Sequence, residues 1–263
     1  MYNNRVRQTV ERLKPIDDDF FHKLSEDIGF CEEVLQVILQ KPDLQVLKVM
    51  PQKSIRNIED RSVIVDVLCK DSEGNYYNIE MQKKNDDDHQ RRVRYNGSNV
   101  DTYVAEKGVK FSEIPDVYVV FISKFDYFGK KKTVYHVDRV LRETGDIVDN
   151  GFYEIYVNTE IDDGTDIAGL MKILKSSQVK NDERFPRVCK RIRYFKEGKG
   201  DKDMSDVVEE YAKEYAEEYV KEEIKKVVKE LIAMDLDDIS IHKATKLSFD
   251  EIQSIRRDLE GKH

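Results

Sequence analysis

The chain has 263 residues, enough for one large domain or a core with an appendage, and its 39% hydrophobic and 37% charged residues describe a polar but globular protein. No segment approaches the ~20 uninterrupted apolar residues of a membrane span, and the N-terminal MYNNRVRQTVERLKP lacks the apolar core of a signal peptide, so a cytoplasmic protein without membrane contact is expected. The formal net charge of -8 argues against a surface coated in basic residues.

In chain order, Asp17 to Gln40 reads as one helix, with Phe21, Leu24, Ile28, Cys31, Leu35 and Ile38 at three- and four-residue spacing and Pro42 beyond its end. Three strand-like runs follow at Leu44 to Met50, Ser62 to Lys70 and Tyr76 to Lys83. The pattern turns helical from His89 to Glu106, with Gly108 as the stop, and Val117 to Ser123 is the most apolar strand. Short strands are expected at Thr133 to Val137 and Tyr153 to Asn158, giving an α/β layout with a sheet covered by helices. Helical patterns at Asp166 to Ser177 and Asp182 to Phe195 precede the linker EGKGDKD. A long amphipathic helix from about Met204 to Met234 carries a Tyr-rich stripe suited to packing or to a homodimer. Two short helices then follow, Ser248 and Glu251 forming a capping box for the second. They have helix-turn-helix proportions, but seven acids against five Lys and Arg between Asp235 and His263 favour a packing or oligomerisation element over a DNA reader. The expected division is 1–163, an α/β core; 164–200, a basic helical segment packed on it; and 201–263, the long helix and tail.

Cys31, Cys69 and Cys189 sit in apolar patterns without metal-type spacing and read as buried free thiols. Positive charge is concentrated between Arg184 and Lys202, where Arg187, Lys190 and Arg191 could meet a polyanion.

The loop DSEGN fixes a register between the second and third strands. A three-residue connection of Ser72, Glu73 and Gly74 puts glycine at the left-handed position, so Asp71 pairs with Asn75 and Asp66 falls opposite Glu80. Cβ atoms of opposed residues lie roughly 4.5 to 5.5 Å apart, and like charges there destabilise a sheet. Three readings remain open: a shared proton, an intervening basic side chain, or a divalent cation such as Mg²⁺, which takes one or two carboxylates and completes its shell with water and phosphate oxygens. The alternative is that both acids lie at strand ends facing solvent. Period-two geometry puts Gln82 on the face of Glu80.

Asp66 followed by Glu80-Met81-Gln82 resembles the core of the PD-(D/E)XK nucleases, in the Glu-x-Gln variant of the recombination-promoting nuclease and putative transposase (Rpn-like) group. HQRRVRYNGS, His89 to Ser98, resembles that group's Arg-x-x-Tyr helix through Arg92, Tyr95 and Ser98. Val65 stands in place of the motif's Pro, Gln82 in place of its Lys, and His89 and Asn96 where aromatic residues are usual. The resemblance implies a restriction-endonuclease-like core of four mixed strands flanked by helices, and a metal-dependent DNA endonuclease. Asp66 and Glu80 would bind Mg²⁺ (or Mn²⁺), Gln82 would orient water, and Arg92 and Tyr95 would reach phosphate and sugar. Glu32 or Glu33 could add a ligand as in some relatives, although a solvated face is the expected reading for each. Lys84 shares the face of Glu80 but lies ~13 Å further along the strand. A DNA-binding or assembly protein that has lost the chemistry is the alternative.

Overall fold

The computed structural model describes residues 2–55, 63–82, 88–105, 107–200 and 204–260. It forms two compact units, Met1–Val207 and Val208–His263.

The first unit opens with α1 (Tyr2–Arg12), a helix the sequence pattern did not single out. Its C-terminal carbonyls are satisfied by Lys196, whose Nζ donates to the carbonyls of Val10 (2.6 Å), Glu11 (3.0 Å) and Leu13 (2.6 Å). Burial pushes the Lys196 ammonium down to about 8. The helix expected over Asp17 to Gln40 is two: α2 (Asp18–Leu24) and α3 (Ile28–Leu39). Between them Ser25 Oγ donates to the Phe21 carbonyl (2.7 Å), and Asp27 accepts the Phe30 N–H (2.8 Å), starting a new helix with its own cap. The apolar spacing ran through this break because both helices turn the same kind of face to the core.

The sheet contains β1 (Val46–Ile55), β2 (Val63–Asp71), β3 (Tyr76–Gln82), β4 (Val117–Ser123), β5 (Val134–Val137) and β6 (Phe152–Asn158), in the order β1-β2-β3-β4-β6-β5. The four strands expected of the core and the two short ones thus join one mixed sheet. β1 runs past the expected end at Met50 because it is an edge strand, where Pro51 deprives no outer neighbour of a donor. β2 and β3 follow the expected register, with Val67 opposite Ile79, Leu68 opposite Asn78, Cys69 opposite Tyr77 and Lys70 opposite Tyr76. The Asp71 N–H reaches the Asn75 carbonyl (3.1 Å) and Gly74 has φ 96°. Asp71 holds the turn together, accepting the N–H groups of Glu73 (2.9 Å) and Asn75 (2.8 Å) on Oδ1 and the Tyr77 hydroxyl (2.7 Å) on Oδ2.

Helix α4 (His89–Val104) is the crossover from β3 to its parallel neighbour β4. Its Val93, Val100 and Val104 pack with Leu68, Val119, Phe121 and Tyr156 of the sheet. Gly97 lets it come close, since a Cβ there would lie 2.3 Å from the Phe152 ring. α5 (Asp166–Leu174) and α6 (Pro186–Lys196) pack on α3 or α1. All three cysteines are buried free thiols.

α7 (Ser205–Ala233) is followed by α8 (Asp238–Thr245) and α9 (Phe249–Glu260). Val228, Ile241, Ile252 and Ile255 form the second unit's own core, with Ile224, Leu231 and Leu247 around it. The capping box forms, Glu251 accepting the Ser248 N–H (2.8 Å) while Ser248 Oγ accepts the Glu251 N–H (3.3 Å). Among the described residues no helix is long and apolar enough to cross a membrane.

Candidate functional site

Ladder pairing between β2 and β3 stops at Val67 and Ile79. Beyond that pair β2 continues alongside β1, while β3 continues alongside β4 to Gln82. Asp66 and Glu80 are the first residues past the last pair, so they meet where the hairpin opens rather than inside a ladder. Asp66 Oδ2 accepts the Met81 N–H (2.8 Å), a donor that the parting strands would otherwise leave without a ladder carbonyl. Glu80 is buried on the face covered by α4, and Oε1 accepts from Asn78 Nδ2 (2.8 Å).

Burial, and then the negative charge of Asp66, push the Glu80 carboxyl up to about 8, against the pull of hydrogen bonds from Asn78, Asn96 and the Asp66 amide. A Glu80 carboxyl shifted toward its neutral form beside a second acid fits either a retained proton or a cation. The donor set suits a hard cation. Besides the two carboxyls, Asn78 Oδ1 is a buried acceptor with no hydrogen-bond partner among the described residues. No group of three or more His, Cys, Asp or Glu capable of holding a metal occurs among them, so water or substrate oxygens would have to complete the shell.

Gln82, on the same strand face as Glu80, is buried, and its Oε1 accepts from Arg92 Nη1 of α4 at 2.8 Å. Arg92 Nη2 also lies 3.7 Å from Asp88 Oδ1. Sequence spacing had put Arg92 and Tyr95 on one helical face. The structure ties Arg92 to Gln82 and leaves Tyr95 exposed, with its carbonyl accepting from Asn99 Nδ2 (2.7 Å). Two apparent departures from the Rpn-like helix acquire roles. Asn96 hydrogen-bonds Glu80, and His89 is buried among the rings of Phe121, Phe125 and Tyr127, 5.1 to 5.3 Å away, where an aromatic residue would sit. Lys83 and Lys84 lie outside the described residues.

Sequence reasoning missed His22 and Gln52. His22 Nε2 stands 3.7 Å from Asp66 Oδ1, and Nδ1 lies 3.0 Å from Gln52 Nε2. No local spacing signals this meeting, because it joins α2 to an edge strand thirty residues later.

The basic segment is bound inward in part. Arg187 bonds Glu32, Gln36 (2.6 Å) and, more weakly, Glu33 (3.5 Å). Glu33 also accepts the Val188 N–H (2.7 Å) and Glu32 the Val46 N–H (2.9 Å). The expected solvated face is therefore corrected for both acids, since α6 docks on α3 there: Glu33 is buried, and Glu32 is mostly covered and bonded to Arg187 and the Val46 N–H. Arg191 donates to the carbonyls of Lys23 (2.8 Å) and Leu24 (3.3 Å). Lys190 alone of the three is exposed.

An antiparallel hairpin feeding, through a crossover helix, into parallel strands, with acids at the opening, is the arrangement of restriction-endonuclease-like α/β folds. The family comparison agrees with it. The model of the PD-(D/E)XK nuclease family transposases matches residues 28–160, just over half of the 263, and the chain belongs to that family. No curated protein and no solved structure matches it.

Proposed function

We propose that the chain is a divalent-metal-dependent DNA endonuclease, hydrolysing phosphodiester bonds and serving recombination or transposition. The observation that carries this reading is the meeting of Asp66 and Glu80 at the opening of the hairpin, where burial and the acidic neighbour favour the neutral form of Glu80. Asp66 and Glu80 would hold Mg²⁺ or Mn²⁺. When bound, such an ion neutralises charge at a phosphate and lowers the pKa of a water.

The chain's own residues account for the rest. The Met81 amide and Asn78 carboxamide fix one oxygen of Asp66 and of Glu80, so the acids need little reorganisation when a cation arrives. Gln82 replaces the motif's lysine and cannot carry charge. Arg92, bonded to its Oε1, supplies a permanent positive charge at the same place from α4 rather than from β3. Oε1 thus faces the guanidinium, and the carboxamide keeps a set orientation from which to position water. Tyr95, exposed one turn along α4, would lie beside the sugar-phosphate backbone, and Lys190 would add a non-specific phosphate contact. Assembly through residues 204–234 belongs to the same proposal and is supported by exposed Tyr219, Val220 and Val227 on α7.

Incubation of the purified chain with supercoiled plasmid and single-stranded DNA, with Mg²⁺ or Mn²⁺, tests the proposal. Nicking lost in Asp66→Ala and Glu80→Ala is expected. Folded protein that binds DNA but cuts neither substrate would favour the non-catalytic alternative.

A further inference from the structure

His22 lies on α2, outside residues 28–160, at a position that no part of the nuclease motif reaches. Its Nδ1 is 3.0 Å from Gln52 Nε2, an amide nitrogen that can only donate. With Gln52 Nε2 as the donor, Nδ1 accepts, which puts the ring proton on Nε2. That nitrogen is buried, has no hydrogen-bond partner among the described residues, and stands 3.7 Å from Asp66 Oδ1. The gap is a few tenths of an ångström beyond a direct hydrogen bond, near enough for the N–H dipole to act on the carboxylate.

Gln52 is unusual independently of this contact. The ladder pairs Pro51 with Val67 and Lys53 with Val65, which brackets Gln52 opposite Asp66, and Gln52 has φ 47°. A left-handed residue other than glycine costs about 1–2 kcal/mol, and such strain concentrates where the fold holds a particular side chain in place. Here the distorted residue on β1 is the one that grips the imidazole facing Asp66.

We infer that His22, held by Gln52, is a positioning residue for Asp66. The ring directs its Nε2–H at Oδ1 while the Met81 amide holds Oδ2, so both oxygens of a side chain that is 24% exposed are kept in one orientation. The consequence for metal affinity rests on the proposed function above, whereas the His22 to Asp66 relationship does not. Direct coordination is a different arrangement, because a ring nitrogen that carries its proton has no lone pair for a cation.

Two measurements on the full chain test this. In metal-free protein labelled with ¹⁵N-histidine, His22 should show the Nε2–H tautomer, with ring shifts that change in Asp66→Asn and in Gln52→Ala. A His22 Nδ1–H tautomer, or shifts indifferent to Asp66→Asn, would overturn the inference. Calorimetric titration with Mn²⁺ in the absence of DNA should show affinity about tenfold weaker in His22→Phe, the usual scale for losing an outer partner of a metal ligand. His22→Gln, which keeps an N–H donor, should restore most of it, with melting temperatures of both variants close to the parent's. Wild-type affinity in His22→Phe overturns the role. An equal loss in His22→Gln also overturns it, since that marks the imidazole as a ligand. If the parent chain binds no Mn²⁺, the metal reading fails and the tautomer experiment still decides the role of His22.

Discussion

Arg92 Nη1 donates to Gln82 Oε1 at 2.8 Å, bringing a cation from α4 to the strand position that, on the proposed reading, takes the place of the PD-(D/E)XK motif's lysine. On that reading charge and strand position are separated onto two residues. A second cation placed on Gln82 would therefore be repelled by the first. Gln82→Lys should lower both melting temperature and plasmid nicking, and the swap Gln82→Lys with Arg92→Gln should recover activity relative to either single variant. Arg92→Met, which removes the charge alone, should cost roughly 10²-fold in kcat, the order found when one preorganised donor is lost from a site of developing charge. Single-turnover cleavage rates check all three. Activity of Gln82→Lys above that of the parent would show that Arg92 does not serve as the missing cation.

The raised Glu80 carboxyl makes metal-free stability depend on pH. The folded chain keeps this proton up to about 8, whereas an unfolded one releases it near 4.5. The folded state therefore binds more protons across that window, and its stability falls as pH rises through it. Glu80→Gln, which cannot ionise, should flatten this fall and melt above the parent at pH 8.5. A divalent ion competes with the proton, so Mn²⁺ should raise the parent's melting temperature more at pH 8.5 than at pH 6 and should do little for Glu80→Gln. Scanning fluorimetry across pH, with and without Mn²⁺, measures both effects. A parent whose metal-free melting temperature rises steadily from pH 5 to 8.5 would contradict this account of Glu80.

Much of the candidate site's geometry was legible in the sequence, because it depends on two short-range rules. Loop length and a glycine in the left-handed position set the β2–β3 register, and alternation put Gln82 with Glu80. What escaped was long-range or local in a competing way. The break between α2 and α3 depends on Ser25 and Asp27 capturing backbone groups, an effect hidden beneath continuous apolar spacing. The inward use of Arg187 and Arg191 and the approach of His22 to Asp66 depend on which helix docks where. A charge count cannot separate a basic residue facing solvent from one closing a helix interface.

Gly97 links packing to the site. Helix α4 carries Arg92 and Asn96 to Gln82 and Glu80, and Gly97 is the residue that lets it close on the sheet, a Cβ there falling 2.3 Å from Phe152 Cζ and 3.2 Å from Val119 Cγ2. Gly97→Ala gains up to about 1 kcal/mol of helix propensity and incurs overpacking of about 1–3 kcal/mol. A net loss of stability is expected, measured by urea denaturation. Gly97→Ala with Phe152→Leu should recover it by making room. The same single variant should cut more slowly than its stability explains, because α4 is displaced from β3.

Arg187 is a structural cation, whereas Lys190, three residues away on the same helix, is exposed and is proposed to meet DNA. Arg187 bonds Glu32, Glu33 and Gln36, and Glu33 is buried, so Arg187→Ala leaves an acid in the α3–α6 interface without its cation. Removing one member of a fully buried pair costs 3–5 kcal/mol, and the partial exposure of Arg187 reduces that to roughly 2 kcal/mol here. Lys190 is exposed, and Lys190→Ala should leave the melting temperature unchanged. Its effect should appear only in DNA binding, as weaker affinity for every sequence and a salt dependence shallower by about one counterion. Denaturation curves and binding isotherms from 50 to 200 mM salt measure the two effects. If Arg187→Ala alters the salt slope and leaves stability intact, its contacts with Glu32 and Glu33 do not hold the interface, and the basic face of α6 is used as a whole.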